Sequence, residues 1–138
     1  MNKTSSDLDK LFEFNKITIA LSKVIERNSW DQEAIMPSGA LVDRAEEQAC
    51  LMVIAHKRQT SNEFSDLLNS IKTENLSKNE SRQISLMKKE LKRALSVPND
   101  LIGALAKHTT LAHSVWVDAR KNNDFQRFLP QFSKVLEL

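Results

Sequence analysis

The chain has 138 residues, a formal net charge of +2, 41% hydrophobic and 28% charged residues. That length suits one domain, and that balance suits a globular chain rather than a disordered tail or a membrane span. With Gly 2 and Pro 3, the turn formers are too few for many short strands, which excludes an all-β sandwich or barrel.

Helical spacing dominates from the start, and residues 1–138 are expected to form a single all-α domain, a bundle of five to six helices. A first helix is predicted from about Asp7 to Arg27 or a little beyond, opened by Ser6 with Asp9 in a capping-box-like arrangement. Its apolar face is Leu8, Leu11, Phe12, Phe14, Ile17, Leu21, Val24 and Ile25, at recurring spacings of three and four. Pro37-Ser38-Gly39 punctuates, and Ser38 is the expected N-cap of a second helix from about Gly39 to Arg58. Thr60-Ser61-Asn62 opens a short third helix to about Lys72, with Phe64, Leu67, Leu68 and Ile71 inward. Ser77-Lys78-Asn79-Glu80 reads as a capping box for a fourth helix to about Ser96. Pro98 pushes Val97 out of the helical region and separates that helix from the next. A fifth is predicted from about Asn99 to Lys121, with Leu101, Leu105, Ala112, Val115, Trp116 and Ala119 aligned. Asn122-Asn123 ends it, Asp124 can cap a short turn, and Pro130 is expected near the start of a last helix ending at Leu138.

The N-terminus has no basic patch followed by an apolar block, so no secretory signal is expected. The longest apolar run, Ala49 to Ala55, is far too short to cross a bilayer, and no membrane partner is expected. Cys50 is alone and reads as a buried thiol. It cannot form an internal disulfide, which points to a reducing compartment, the cytoplasm. A basic excess gathers at Arg82, Lys88, Lys89, Lys92 and Arg93. No aromatic residue interleaves it and Glu80 and Glu90 interrupt it, so it reads as a solvated helix face and not as a nucleic-acid surface.

The residue types that carry chemistry do not converge. His56 is followed by Lys57, so there is no H-E-x-x-H zinc motif. His108 and His113 are five apart, about 140° around a helix, and cannot share one ion. No glycine-rich phosphate loop and no G-x-S-x-G elbow exists. Asp31 with Glu33, and Glu46 with Glu47, diverge on a helix and give no paired-carboxylate site. Trp116 and Arg120, at i and i+4, could stack as a cation–π pair.

Two stretches carry a resemblance. The first is Trp30-Asp31-Gln32-Glu33, Met36-Pro37, Gly39-Ala40, Arg44-Ala45-Glu46, Gln48, Leu51 and Ala55-His56. The second is Val97-Pro98, Leu101, Trp116, Ala119-Arg120, Asn122, Asp124-Phe125, Phe128, Pro130 and Leu138. In order and spacing they resemble the N-terminal region of the thermostable (Taq-type) metallocarboxypeptidases, from about Leu8 to Leu138. The resemblance implies a largely α-helical, often dimeric hydrolase that removes C-terminal residues from peptides with zinc or cobalt. In that family an H-E-x-x-H helix and a downstream glutamate hold the metal and supply the base.

None of those residues matches a position here, so the resemblance implies no catalytic residue, no metal ligand and no cofactor in this chain. It implies an N-terminal part lacking the metal site and inactive alone. The structural role it carries is a roof and side wall over a substrate groove. Trp30, Pro37, Pro98, Trp116 and Arg120 are then expected as structural anchors, with Trp30–Pro37 a helix end and turn, and Asp31 a cap or ion-pair partner. Asp31 and Arg44 are the candidates for groove lining. A free-standing helical interaction module, partner to a separate catalytic chain, is the alternative. Homo-oligomerisation through exposed apolar helix faces is expected, because Phe125, Phe128, Leu129, Phe132, Val135, Leu136 and Leu138 crowd the final residues.

Overall fold

In the computed structural model the described residues are 3–72, 74 and 76–138, with side chains from Asp7 onward. Among them the chain is all-α. It runs α1 (Lys3–Ala34), a 3-10 turn (Ser38–Ala40), α2 (Leu41–Gln59), α3 (Asn62–Ser70), α4 (Lys78–Ala94), α5 (Asn99–Lys121) and α6 (Phe125–Leu136). Among the described residues no helix is long and apolar enough to cross a membrane. The residues divide into two compact units, one of residues 1–22 and 55–98, the other of 23–54 and 99–138.

The first unit holds the main apolar cluster. Leu8, Leu11 and Phe14 of α1 meet Phe64 and Leu68 of α3, Ile71 after it, and Ile84 and Leu91 of α4. Phe14 stacks on Phe64 with ring centroids 5.4 Å apart. Leu11, Leu68 and Ile84 are fully buried, each contributing about 1.5–3 kcal/mol of transfer free energy. Local chemistry starts these helices where the sequence predicts. The Ser61 hydroxyl accepts from Phe64 N at 3.2 Å. Ser77 and Glu80 form the expected reciprocal box, with Ser77 N donating to Glu80 Oε2 at 2.8 Å and Glu80 N donating to Ser77 Oγ at 3.3 Å. The Ser77 hydroxyl, and then its backbone N–H, hold the Glu80 carboxyl below its usual value. The Arg58 guanidinium lies 3.8 Å from the Phe14 ring centroid. It also donates to Thr18 Oγ1 and the Phe14 carbonyl, each at 3.0 Å.

In the second unit, α5 ends on a Schellman turn. Asp124 N donates to the Ala119 carbonyl at 2.8 Å and Asn123 N to the Arg120 carbonyl at 3.3 Å. Asn123 takes the left-handed conformation this needs, at φ 55°. Asp124 then caps α6, its Oδ1 accepting from Arg127 N at 3.2 Å. At Gly103 of α5 an added Cβ would lie 3.1 Å from Val53 Cγ2 of α2, so the missing side chain permits a close approach there.

Several expectations are corrected. The first helix begins at Lys3 and not Asp7, so Ser6 lies inside it; the Ser6 side chain is outside the described residues. The same helix runs about two turns beyond Arg27, to Ala34, so most of Trp30–Pro37 is its end and only Ile35–Pro37 the turn. Ser38 is not a cap: it opens the 3-10 turn, where Pro37 holds the cap position without a side-chain hydrogen bond. Pro130 sits in the interior of α6, where its absent N–H removes one bond of the ladder. Cys50 is exposed, because the apolar run containing it turns only part of its circumference inward. The two Trp anchors are not buried: Trp30 is 64% exposed and Trp116 44%. On α5 the buried residues are Thr110, Ala112 and Ala119; Ala112 and Ala119 belong to the predicted face, on which Leu105 and Trp116 are 38% and 44% exposed.

Candidate functional site

A dense polar constellation lies in the second unit, where the last turns of α1 meet side chains of α2 and α5. Successive residues of a helix step by about 100°, and the Trp30–Glu33 run uses those steps to reach different neighbours. Trp30 points outward. Asp31 faces α2: its Oδ2 accepts from Arg44 Nη2 at 2.7 Å. Gln32 faces α5, its Nε2 donating to the Thr110 carbonyl at 3.5 Å. Glu33 also reaches α5, with Oε1 3.1 Å from His113 Nε2.

Arg44 is the hub. Besides Asp31 it donates Nη1 to the Asn28 carbonyl at 2.5 Å and Nε to Glu47 Oε2 at 3.1 Å. Its side chain is 14% exposed. Three acceptors in three directions use the planar guanidinium fork as a lysine could not. The cation also lies near the C-terminal end of α1, where the helix dipole favours it. The Asp31 carbonyl accepts from both Ile35 N and Met36 N, at 3.0 and 2.9 Å, so this one residue ends α1 with its backbone and ties it to α2 with its side chain. One turn along α2, buried Gln48 donates Nε2 to Ser29 Oγ at 3.0 Å, and Ser29 donates onward to the Ile25 carbonyl at 3.1 Å. Gln48 Oε1 is buried without a partner among the described residues. Lys107 of α5 pairs with Glu46 of α2.

Both candidate groove residues, Asp31 and Arg44, are therefore brought together, but onto each other. Ser29, Gln48, Glu33 and His113 join them. Sequence reading missed these four because their partners are far away in the chain; the only local hint is the run of four consecutive residues able to bond or pack in four directions. Among the described residues no cation–π contact joins Trp116 to Arg120. The neighbour of Trp116 is His113, at 5.5 Å between ring centroids and 37° between planes. Trp116 also lines an open cleft of about 270 Å³ with Ala119, Arg120, Asn123, Asp124, Phe125 and Phe128.

The donor set does not fit a divalent metal. Among the described residues no three His, Cys, Asp or Glu side chains converge. Buried His56 has Nε2 2.9 Å from the Val97 carbonyl, a geometry in which the ring N–H donates. His113 is engaged by Glu33, and His108 stands elsewhere on α5. The constellation braces helices, and it contains neither a free nucleophile nor two carboxylates poised across a gap.

A strand-free helical array of this order is found in solved metallopeptidases. A Pyrococcus furiosus carboxypeptidase superposes with a TM-score of 0.72 at 25% identity, covering 99% of this chain and 27% of that one. An M32 carboxypeptidase from Deinococcus radiodurans R1 superposes at 0.60 and 27% identity, over 98% of this chain and 26% of that one. The fold is thus that of the helical part of a metal-dependent carboxypeptidase. The carboxypeptidase Taq (M32) metallopeptidase profile matches residues 10–138, and the chain belongs to that family. Thermostable carboxypeptidase 1 of Pyrococcus furiosus is 29% identical over 110 residues, 79% of this chain and 22% of its own length. Thermostable carboxypeptidase 1 of Thermus thermophilus is 27% identical over 132 residues, 93% of this chain and 26% of its own. The chain spans about a quarter of the length of the curated relatives it matches.

Proposed function

We infer that this chain supplies the N-terminal helical wall of a metal-dependent carboxypeptidase architecture and does not hydrolyse peptides by itself. The observation that carries this is the engagement of its polar residues. The acids and bases of α1, α2 and α5 hold one another, as Asp31–Arg44 and Glu33–His113 do, which suits a scaffold and leaves no group of this constellation free for proton transfer. A catalytic zinc normally takes three protein ligands and a water, and three converging His, Cys, Asp or Glu side chains do not occur among the described residues. Asp31 and Arg44 then act on a groove indirectly, by fixing the angle between α1 and α2. The lone Cys50 suits a reducing compartment such as the cytoplasm.

The test is release of C-terminal amino acids from blocked dipeptides with zinc or cobalt added, beside elemental analysis of the purified chain. Neither turnover nor a stoichiometric metal is expected. About one metal per chain, or turnover above the blank that disappears on chelation, would overturn the reading.

A further inference from the structure

One face of α4 is left to solvent along its whole length, and it is cationic. The core side of the helix is Ile84 and Leu91, with Met87 packed between them. Lys78, Arg82, Lys88, Lys89, Lys92 and Arg93 are all exposed. At about 100° per residue they fall within one sector of about 140°, turned away from that core side. Within α4 the only other residues of the sector are Ser81 and Ser85. In the linear sequence Glu80 and Glu90 interrupt this run of cations; around the helix they do not. Glu80 falls on the core side, one turn before Ile84, and is held by Ser77. Glu90 stands outside the sector, on the side of Gln83 and Ala94. The ion pairs among the described residues all lie on other helices. The positive charges of α4 therefore stand uncompensated over about 22 Å of helix.

We propose that this stripe binds the phosphate backbone of a nucleic-acid duplex. Charge density selects that occupant. A duplex carries one negative charge per about 1.7 Å of its axis, with a condensed layer of counterions. Cations held along a rigid helix displace those counterions, and the gain in entropy grows with every contact. An acidic protein surface has no condensed layer to release, and lysine is depleted where proteins pack on one another. The same physics keeps the stripe open when these helices form part of a larger peptidase architecture. Covering it with protein would strip water from a row of unpaired charges, at a desolvation cost that nothing repays.

The side chains point the same way. Lys, Arg and Ser are among the residues that meet phosphate oxygens, and they are the only residue types in the sector. A single strand, with its bases open, is held by aromatic stacking platforms as well as by cations, and no aromatic residue stands on α4. A duplex keeps its bases stacked inside and presents its phosphates outermost. A lipid surface is held by a helix that sinks an apolar face beside its cations, whereas the apolar face of α4 is committed to the core of its own unit.

Fluorescence anisotropy of a labelled DNA duplex of about 20 base pairs, titrated with the 138-residue chain, tests this. With about five phosphates engaged, log K should fall against log salt with a slope of about −4.5. Kd should then be a few micromolar at about 50 mM salt and about five hundredfold weaker at about 200 mM. Lys89→Gln with Arg93→Gln should lower the slope by about 2 and weaken binding about a hundredfold at about 50 mM salt. Lys10→Gln with Lys16→Gln removes the same charge from α1 and should change Kd by less than about threefold. Circular dichroism of both double variants should match the parent. A duplex left unbound at about 50 mM salt overturns the proposal. So does equal weakening by the two double variants, a salt slope that the α4 variant leaves unchanged, tighter binding of the single strand than of the duplex, or co-sedimentation with phosphatidylserine–phosphatidylcholine vesicles in place of duplex binding.

Discussion

Arg44→Ala removes the hub of the α1–α2 brace, and the structure sets the size of the effect. An exposed ion pair contributes about 0–1 kcal/mol, while removing one partner of a buried pair costs about 3–5 kcal/mol. Arg44 is 14% and Asp31 31% exposed along their side chains, between those limits and nearer the buried one for the cation. The substitution leaves Asp31 half-buried and strips one donor from the Asn28 carbonyl. A loss of about 2–3 kcal/mol is expected, out of the 5–15 kcal/mol typical of a domain. For a chain of this length that lowers Tm by about 6–10 °C. Arg44→Lys keeps the charge but not three donors in a fixed plane, and should recover less than half. Glu47, more exposed at 55%, should matter little: Glu47→Ala within about 0.5 kcal/mol. A double-mutant cycle of Arg44→Ala with Asp31→Ala by differential scanning calorimetry should return a coupling of about 1–2 kcal/mol. If Arg44→Ala melts within about 2 °C of the parent, or Arg44→Lys restores it fully, the brace does not carry that stability.

Glu80 accepts hydrogen bonds while ionised and its folded pKa is lowered. Its stabilisation is therefore present above the ordinary glutamate pKa and is lost as pH falls through the lowered value. The Tm gap between parent and Glu80→Gln should be open at neutral pH and close on acidification; a gap that widens in acid would contradict the capping box. His56→Ala deletes a buried ring and orphans the Val97 carbonyl, and should cost about 2–4 kcal/mol by urea unfolding; a cost below about 0.5 kcal/mol would place the ring in solvent. Asn123→Gly relieves the left-handed residue of the Schellman turn and should raise stability by up to about 1 kcal/mol, measured the same way. Trp30→Ala should cost less than about 1 kcal/mol, against the 3–5 kcal/mol of a buried Trp, and parent Trp30 should be quenched readily by acrylamide.

Where a helix starts on a local cap, the sequence was sufficient. Ser61, Ser77 and Asp124 act on backbone groups three residues away, so their effect is visible in a short window. The end of α1 was not visible that way. Asn28 and Ser29 are weak helix formers, and the helix is carried past them by a set of partners 13, 19 and 78 residues off. The same distance effect hid the pairing of the two candidate groove residues. The Ala49–Ala55 run hid the exposure of Cys50 for a different reason: an unbroken apolar run has no period, so it cannot say which side faces inward. On α5, Ala112 and Ala119 of the predicted face are buried while Leu105 and Trp116 on the same face stay part exposed, because spacing marks a face but not which of its residues the neighbouring helix covers.

Each compact unit is assembled from two separated stretches of chain, and this bears on how the protein emerges from a ribosome. Leu8, Leu11 and Phe14 leave the exit tunnel early, yet the α3 and α4 residues they pack against emerge only after the whole of α2. The second unit waits longer still, because its early part, residues 23–54, is completed by residues 99–138. At about 5–20 residues per second, the apolar faces of α1 and α2 stay uncovered for several seconds of synthesis. Slowing translation before residue 99 should lengthen that interval and raise the share of nascent chain held by chaperones, while the finished protein is unchanged in sequence.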